Sequence, residues 1–200
     1  MGRGAYALAR VAVIVRAPAR WLFWLGVLGA GIGALVPGLT GRRIGLLAGA
    51  GLFVVTGAVA FLARRRRYTE LAGGAERAGR SVYLQDRAVS LRNWRRARRW
   101  WLAVAFLVAV GSSFAVPAAV GLGLAGLGVG LWAKALWLGS VERRADALLW
   151  VRTERAQGSP VAAAVSGWFA TGLAAGDALP GGARRRTRPA TGGAVVSAAR

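Results

Sequence analysis

Arg92, Arg95, Arg96, Arg98 and Arg99 crowd eight residues of the chain, with Trp94 among them. Guanidinium forks hold phosphate oxygens, and an indole can stack on a base or rest at a lipid headgroup layer. A second basic run, Arg64, Arg65, Arg66 and Arg67, lies upstream. Phosphate recognition is the first chemistry these residues could perform, and two sources of phosphate fit. One is nucleic acid, bound through the 64–99 segment. The other is anionic membrane lipid, where each arginine near the surface contributes about 1 kcal/mol. The lipid source is preferred, because any multispanning protein needs basic topology determinants anyway.

Little else in the chain could do chemistry. The 200 residues include no Cys and no His. That excludes disulfides, thiolate nucleophiles, an imidazole base and the usual zinc ligand sets. Glu142 and Asp146 fall one helical turn apart, the spacing of an acid–base pair, but Arg143 and Arg144 beside them favour a solvated surface cluster. Gly121 to Gly126, GLGLAG, has the dinucleotide-fingerprint spacing without the preceding strand that gives it meaning. Lys134 is the one ionisable side chain within an apolar stretch. It lies five residues from the end of that stretch, so its amine is expected to snorkel to the interface. No enzymatic activity, cofactor or metal is expected.

The elements that position these groups follow from apolarity. Hydrophobic residues make up 56% of the chain, yet 28 Lys+Arg stand against 7 Asp+Glu, a net charge of +21. The two properties can coexist only if they are segregated along the chain. Four apolar segments do this, at 21–37, 44–63, 100–116 and 118–139. A bilayer-crossing helix needs about 17–25 such residues. The expected fold is an all-α membrane protein with four transmembrane helices arranged as two hairpins, 21–63 and 100–139. The basic lead 1–20 and the basic helical linker 64–99 would be cytoplasmic. A short amphipathic surface helix is expected over 140–158, then a largely disordered, Ala/Gly-rich basic tail over 159–200.

Arginine placement sets the threading. Four arginines precede the first segment, two (Arg42 and Arg43) follow it, twelve lie in 64–99 and nine come after 139. The positive-inside rule then puts both termini in the cytoplasm of a bacterial inner-membrane protein. Trp21, Trp24, Trp100, Trp101, Trp132 and Trp137 fall near segment ends, as interfacial anchors do. The stretch 160–179 is long enough to cross, but it contains Asp177 and would export Arg184, Arg185 and Arg186, so it is not read as a span.

The halves also repeat. Shifted by 80 residues, ten of the 49 positions from 16 to 64 are identical, including Val36-Pro37 on Val116-Pro117. Composition would give roughly half as many, so a parallel repeat of two hairpins is suggested. Gly29 and Gly33, Gly45 and Gly49, and Gly126 and Gly130 are each four apart, the spacing at which helices approach closely in lipid. Packing within one bundle is the preferred use of these pairs, with homo-oligomerisation as the alternative.

Trp21, Pro37 and Tyr68, with Trp101 and Pro117 in the second half, form a unit of basic lead, span, Val-Pro turn, span and basic exit. This unit resembles the two-span SLATT domains, membrane effectors of nucleotide-linked conflict systems, here duplicated. The overall plan is also similar to the plasmid spread (Spd) membrane proteins implicated in DNA passage, a likeness of architecture alone. The expectation is a non-enzymatic, multispanning membrane-assembly or pore-type component whose basic cytoplasmic face binds anionic lipid or a partner. A membrane-tethered nucleic-acid-binding component of a DNA transfer apparatus is the alternative.

Overall fold

The computed structural model describes residues 7–79, 83–153 and 167–184, and the chain is mostly helical. In order it forms β1 (Ala7–Arg10), α1 (Val11–Leu35), α2 (Arg42–Leu62), α3 (Arg65–Gly73), β2 (Glu76–Arg77) and β3 (Tyr83–Leu84). It continues with α4 (Arg87–Gly111), a 3-10 turn (Ser112–Phe114), α5 (Ala119–Arg144), β4 (Ala147–Arg152) and β5 (Phe169–Gly172). The four long helices run back and forth between two ends. One end carries the turns 36–41 and 112–118, and the other carries a five-stranded sheet of order β2-β5-β4-β1-β3.

Helix α5 lies at the centre of the bundle, packed between α1 and α2, with α4 against the outer side of α1. The sequence explains this position. From Gly121 to Gly130 nearly every second residue is glycine, so α5 is smooth on both flanks. A Cβ on Gly121 would fall on the Ala30 backbone of α1, and one on Gly126 would meet Phe53 of α2. Gly45 faces Pro117 and Gly49 faces Leu122, while Gly26 faces Ala125. The Thr56 hydroxyl lies 2.7 Å from the Gly123 carbonyl oxygen, adding a polar contact between α2 and α5. Consecutive helices are therefore not the packing units: α5 separates α1 from α2, and the expected pair of hairpins is not how the bundle packs.

Among the described residues three helices, not four, are long and apolar enough to cross a membrane: α1, α2 with its α3 extension, and α5. The exception is α4. Its N-terminal half carries the arginine run, leaving only Trp100 to Gly111 apolar. Twelve helical residues span about 18 Å, short of a hydrocarbon core of about 30 Å. Outward faces of the helices are strongly apolar: Leu47 is 75% exposed, and Val54, Val59, Leu107 and Leu28 are exposed with it.

The sheet corrects the all-α expectation. Residues 147–152, expected in a surface helix over 140–158, instead form β4, after α5 ends at Arg144 and a turn passes through Asp146 at φ 47°. Sequence favours the strand: Ala147-Leu-Leu-Trp-Val-Arg152 is a continuous apolar run, and its four central residues are buried. β4 pairs antiparallel with β1 and with β5. One face of the sheet packs Leu149, Val151 and Trp168 on Val11, Val15, Tyr68 and Leu138; the other gathers Leu8, Leu148 and Trp150. Within the expected disordered tail, 167–184 is folded into this sheet and the strap that follows it. Residues 154–166 and 185–200 lie outside the described residues. The linker 64–99 is likewise only partly helical, with β2 and β3 between α3 and α4.

A buried ion pair joins sheet to helices. Arg10, the last residue of β1, is 2% exposed, and Glu142, in the last turn of α5, is 1% exposed. Arg10 Nη2 lies 3.1 Å from both Glu142 oxygens. Glu142 also accepts the backbone N–H of Leu149 (3.2 Å) and of Gly181 (2.8 Å). The guanidinium donates further to the carbonyls of Ala178 and Leu179. Glu142 is thus a buried member of the scaffold, and the expected solvated cluster with Asp146 does not form; Asp146 is exposed.

Two outcomes follow for the detergent-solubilised protein. Glu142→Leu strands the Arg10 charge and should cost about 3–5 kcal/mol, whereas adding Arg10→Met should recover most of it. Thermal melts of the two variants check this. Gly126→Ala should destabilise by about 1–3 kcal/mol through overpacking. Gly51→Ala, where a Cβ meets nothing within 4 Å, should leave the melt unchanged or slightly raised.

Candidate anion-binding cleft at the basic end

Charge is distributed as unevenly as apolarity. Arg42 and Arg43 are at the turn end of the bundle; the other described arginines lie towards the sheet. The two basic runs do not form one patch. α2 flanks α5 and α4 flanks α1, so Arg64–Arg67 and Arg92–Arg99 sit on opposite sides of the central pair. Arg65 is sandwiched, its guanidinium carbon 4.6 Å from the Phe61 ring centre and 4.5 Å from that of Trp137. Arg64, Arg66 and Arg67 are exposed beside it. On α4, Arg96 and Arg99 are exposed, Arg98 is half-buried, and Arg99 lies 5.6 Å from the Trp100 ring.

Arg92 and Arg95 have a different setting. Near the sheet, α4 stands off α5, and the gap between α1, α4 and α5 is a cleft of about 1000 Å³. Helix α1 contributes Arg16, Arg20 and Trp24, spaced four apart and so on one face. Helix α4 contributes Arg87, Leu91 and Arg95 at the same spacing, with Arg92 and Trp94 beside them. Gly128, Val129 and Trp132 of α5 form the back. Gly128 is needed there, since a Cβ would come within 2.6 Å of the Phe23 nitrogen and push α1 away.

The cleft is therefore five guanidiniums above an indole-rich wall. Among the described residues no carboxylate lines it, and none of its five arginines is in an ion pair. Two are oriented. Arg87 donates from Nε to the Gly182 carbonyl at 3.1 Å, and Arg95 lies 5.9 Å from the Trp21 ring centre. The helix carrying Arg87 is itself anchored, because the Asp177 carboxylate accepts the Arg87 N–H at 3.1 Å and caps α4 from 90 residues away. Converging like charges without acids is an arrangement that an anion completes.

Of the arginines expected to contact phosphate, Arg92 and Arg95 line the cleft, where they are joined by Arg16, Arg20 and Arg87 and by Trp24 and Trp132, which the sequence did not bring together. Arg16 and Arg20 were counted only as part of the lead. Their four-residue register with Trp24 was the available signal. The remaining expected residues have structural places. Gly29 packs on Ala109, Gly33 on Ser113, and Gly130 on Gly57 and Ala60, so all six paired glycines lie at crossings within the chain.

Lys134 departs from expectation. It is 5% exposed and does not reach outward. Its Nζ donates to the Ala63 carbonyl at 2.7 Å and lies 5.6 Å from the Tyr68 ring centre. It therefore ties the C-terminus of α2 to α5, where a cation meets the negative end of the helix dipole.

Comparison with protein-family models, with curated proteins and with solved structures finds no match. The site's own geometry thus carries the functional argument.

Lys134→Met should orphan the Ala63 carbonyl at a cost of about 1–3 kcal/mol. The α2–α3 corner should then open more often. Trypsin should cleave the folded protein at Arg64–Arg67 faster than wild type, as intact-mass analysis of a limited digest would read.

Proposed function

We propose that this chain is a non-enzymatic integral membrane protein of a bacterial inner membrane. It acts as a membrane-assembly component whose basic, sheet-capped end docks on anionic phosphate groups at the cytoplasmic surface. One observation carries this reading: the coincidence of two asymmetries along the bundle axis. The outward faces of α1, α2 and the apolar half of α4 are exposed hydrocarbon, and the arginines gather at the end where that hydrocarbon stops. Exposed apolar faces of this extent are unstable in water and suit lipid. Arginine at the boundary suits anionic headgroups. Trp21, Trp24, Trp100, Trp101 and Trp132 are exposed at the same transition, as an aromatic belt would be.

The start of β1 and the strap through Ala183 both lie at the sheet end, which supports a threading with both on one side of the membrane. The positive-inside rule favours the cytoplasmic side. A pore through a single copy gains no support, since backbone meets backbone along both flanks of α5. The paired glycines are occupied within the chain and so do not argue for an oligomer. Nucleic acid is the weaker reading, because Trp94, the candidate stacking residue, is half-buried in the cleft wall and the two basic runs are on opposite flanks.

Absence of Cys makes the threading directly testable. Single Thr40→Cys and Glu70→Cys variants, both at exposed positions, sample the turn end and the sheet end. A membrane-impermeant maleimide should label the Thr40→Cys variant in intact spheroplasts, and the Glu70→Cys variant only after permeabilisation. Reversed or equal labelling, or release of the protein by alkaline carbonate, would overturn the reading.

A further inference from the structure

The cleft asks for more than a charged surface. General docking needs only exposed arginines, such as Arg66, Arg67 and Arg96 provide. The cleft instead gathers Arg16 and Arg87, half-buried, and Arg20, Arg92 and Arg95, exposed, around one partly open volume of about 1000 Å³. A volume of that size takes one small molecule or headgroup, not a polymer. Five guanidiniums with no carboxylate partner among the described residues are poorly balanced by a single negative charge, and well balanced by a group carrying two or more.

The wall adds a second requirement. Trp21, Trp24 and Trp132 line the same cleft, and each remains exposed in part. Indoles so placed give an apolar path from the arginines towards the exposed hydrocarbon face of α1. A soluble phosphate would use the arginines and leave this wall in water. An amphiphile would use both.

We propose that the α1–α4–α5 cleft is a stoichiometric site for one lipid whose headgroup is a terminal phosphate, a phosphomonoester or diphosphate. The phosphate sits among Arg16, Arg20, Arg87, Arg92 and Arg95, and the first part of the chain lies along Trp21, Trp24 and Trp132. Arg87, held by the Gly182 carbonyl, and Arg95, held over Trp21, are preset donors. Preset donors reduce the ordering cost of binding and raise selectivity over freely moving surface arginines. This assignment rests on the membrane-docking reading above.

The experiment uses the full chain in neutral-lipid nanodiscs, with bound lipid counted by native mass spectrometry. Dioleoyl phosphatidic acid is the terminal-phosphate probe, and dioleoyl phosphatidylglycerol is the single-charge diester. Glycerol 3-phosphate is the soluble phosphate, and a single-stranded oligonucleotide is the polymer. One phosphatidic acid per chain should be retained, with about tenfold preference over phosphatidylglycerol, in line with the charge difference. Millimolar glycerol 3-phosphate should not displace it. The triple variant Arg16→Gln, Arg20→Gln, Arg95→Gln should lose the preference, whereas Arg66→Gln, Arg67→Gln, Arg96→Gln should keep it. The corresponding cleft triple to Lys should retain part of it and guards against a loss caused by misfolding.

Equal retention of the two lipids, or equal loss from either glutamine triple, would reduce the cleft to ordinary surface charge and overturn the site. Displacement by glycerol 3-phosphate would assign it to soluble phosphate, and displacement by the oligonucleotide to nucleic acid; either overturns the lipid assignment. A chain that inserts with the expected threading but retains no lipid sinks the cleft alone. A chain that fails to insert sinks both readings.

Discussion

The Arg10–Glu142 pair is the constraint from which the rest of the structure is built. Burying two opposite charges is costly unless every remaining donor and acceptor is met. Here the carboxylate has the guanidinium and two backbone N–H groups, and the guanidinium has two carbonyls besides, leaving Arg10 Nε as the one donor of the pair without a partner among the described residues. Those partners come from β1, α5, β4 and the strap after β5. The pair can therefore form only when four distant stretches of chain are in place. It also fixes geometry: β1 runs directly into α1, and α5 ends two residues before β4. The antiparallel α1–α5 packing and the antiparallel β1–β4 ladder are thus one continuous feature with the ion pair at its bend.

Glycine determines how that feature grows into a bundle. With both flanks of α5 bare, α1 and α2 each approach it to backbone distance, where dispersion and close packing hold the helices together. No such face remains for α4. It settles mainly on α1, touches α5 less, and stands off α5 near the sheet, where the cleft opens. Arginines on α4 could not have been accommodated in the closed positions of α5 or α1.

Much of this was legible in the chain. Apolar length located α1, α2 and α5, the positions of Arg42 and Arg43 marked the turn end, and the paired glycines marked helix crossings. What was not legible is tertiary. The strand β4 was misread because Leu148, Leu149 and Trp150 suit a short amphipathic helix as well as a strand, and only the partners β1 and β5, some 140 and 20 residues away, decide between them. Glu142 looked solvated among Arg143 and Arg144, since nothing local announces Arg10 as its partner. The third apolar segment looked full-length because it was counted from Trp100 through the turn, whereas its helix stops at Gly111 and the N-terminal half of that helix is arginine-rich. Lys134 looked like a snorkelling amine because Ala63, whose carbonyl it meets, is 71 residues distant.

The strap from Asp177 to Gly182 binds these parts into one system. Asp177 caps α4, the carbonyls of Ala178 and Leu179 accept from Arg10, the Gly181 N–H meets Glu142, and the Gly182 carbonyl holds Arg87. Gly181 and Gly182 take φ of 80° and 72°, values that favour residues without a Cβ. Six residues therefore touch both the buried ion pair and the mouth of the cleft. Five guanidiniums repel one another there, and that repulsion bears on α4, the least tightly packed of the long helices. The strap's hydrogen bonds to Arg87 and Glu142 act against that repulsion, so the position of α4 and the order of the core are linked through one short segment.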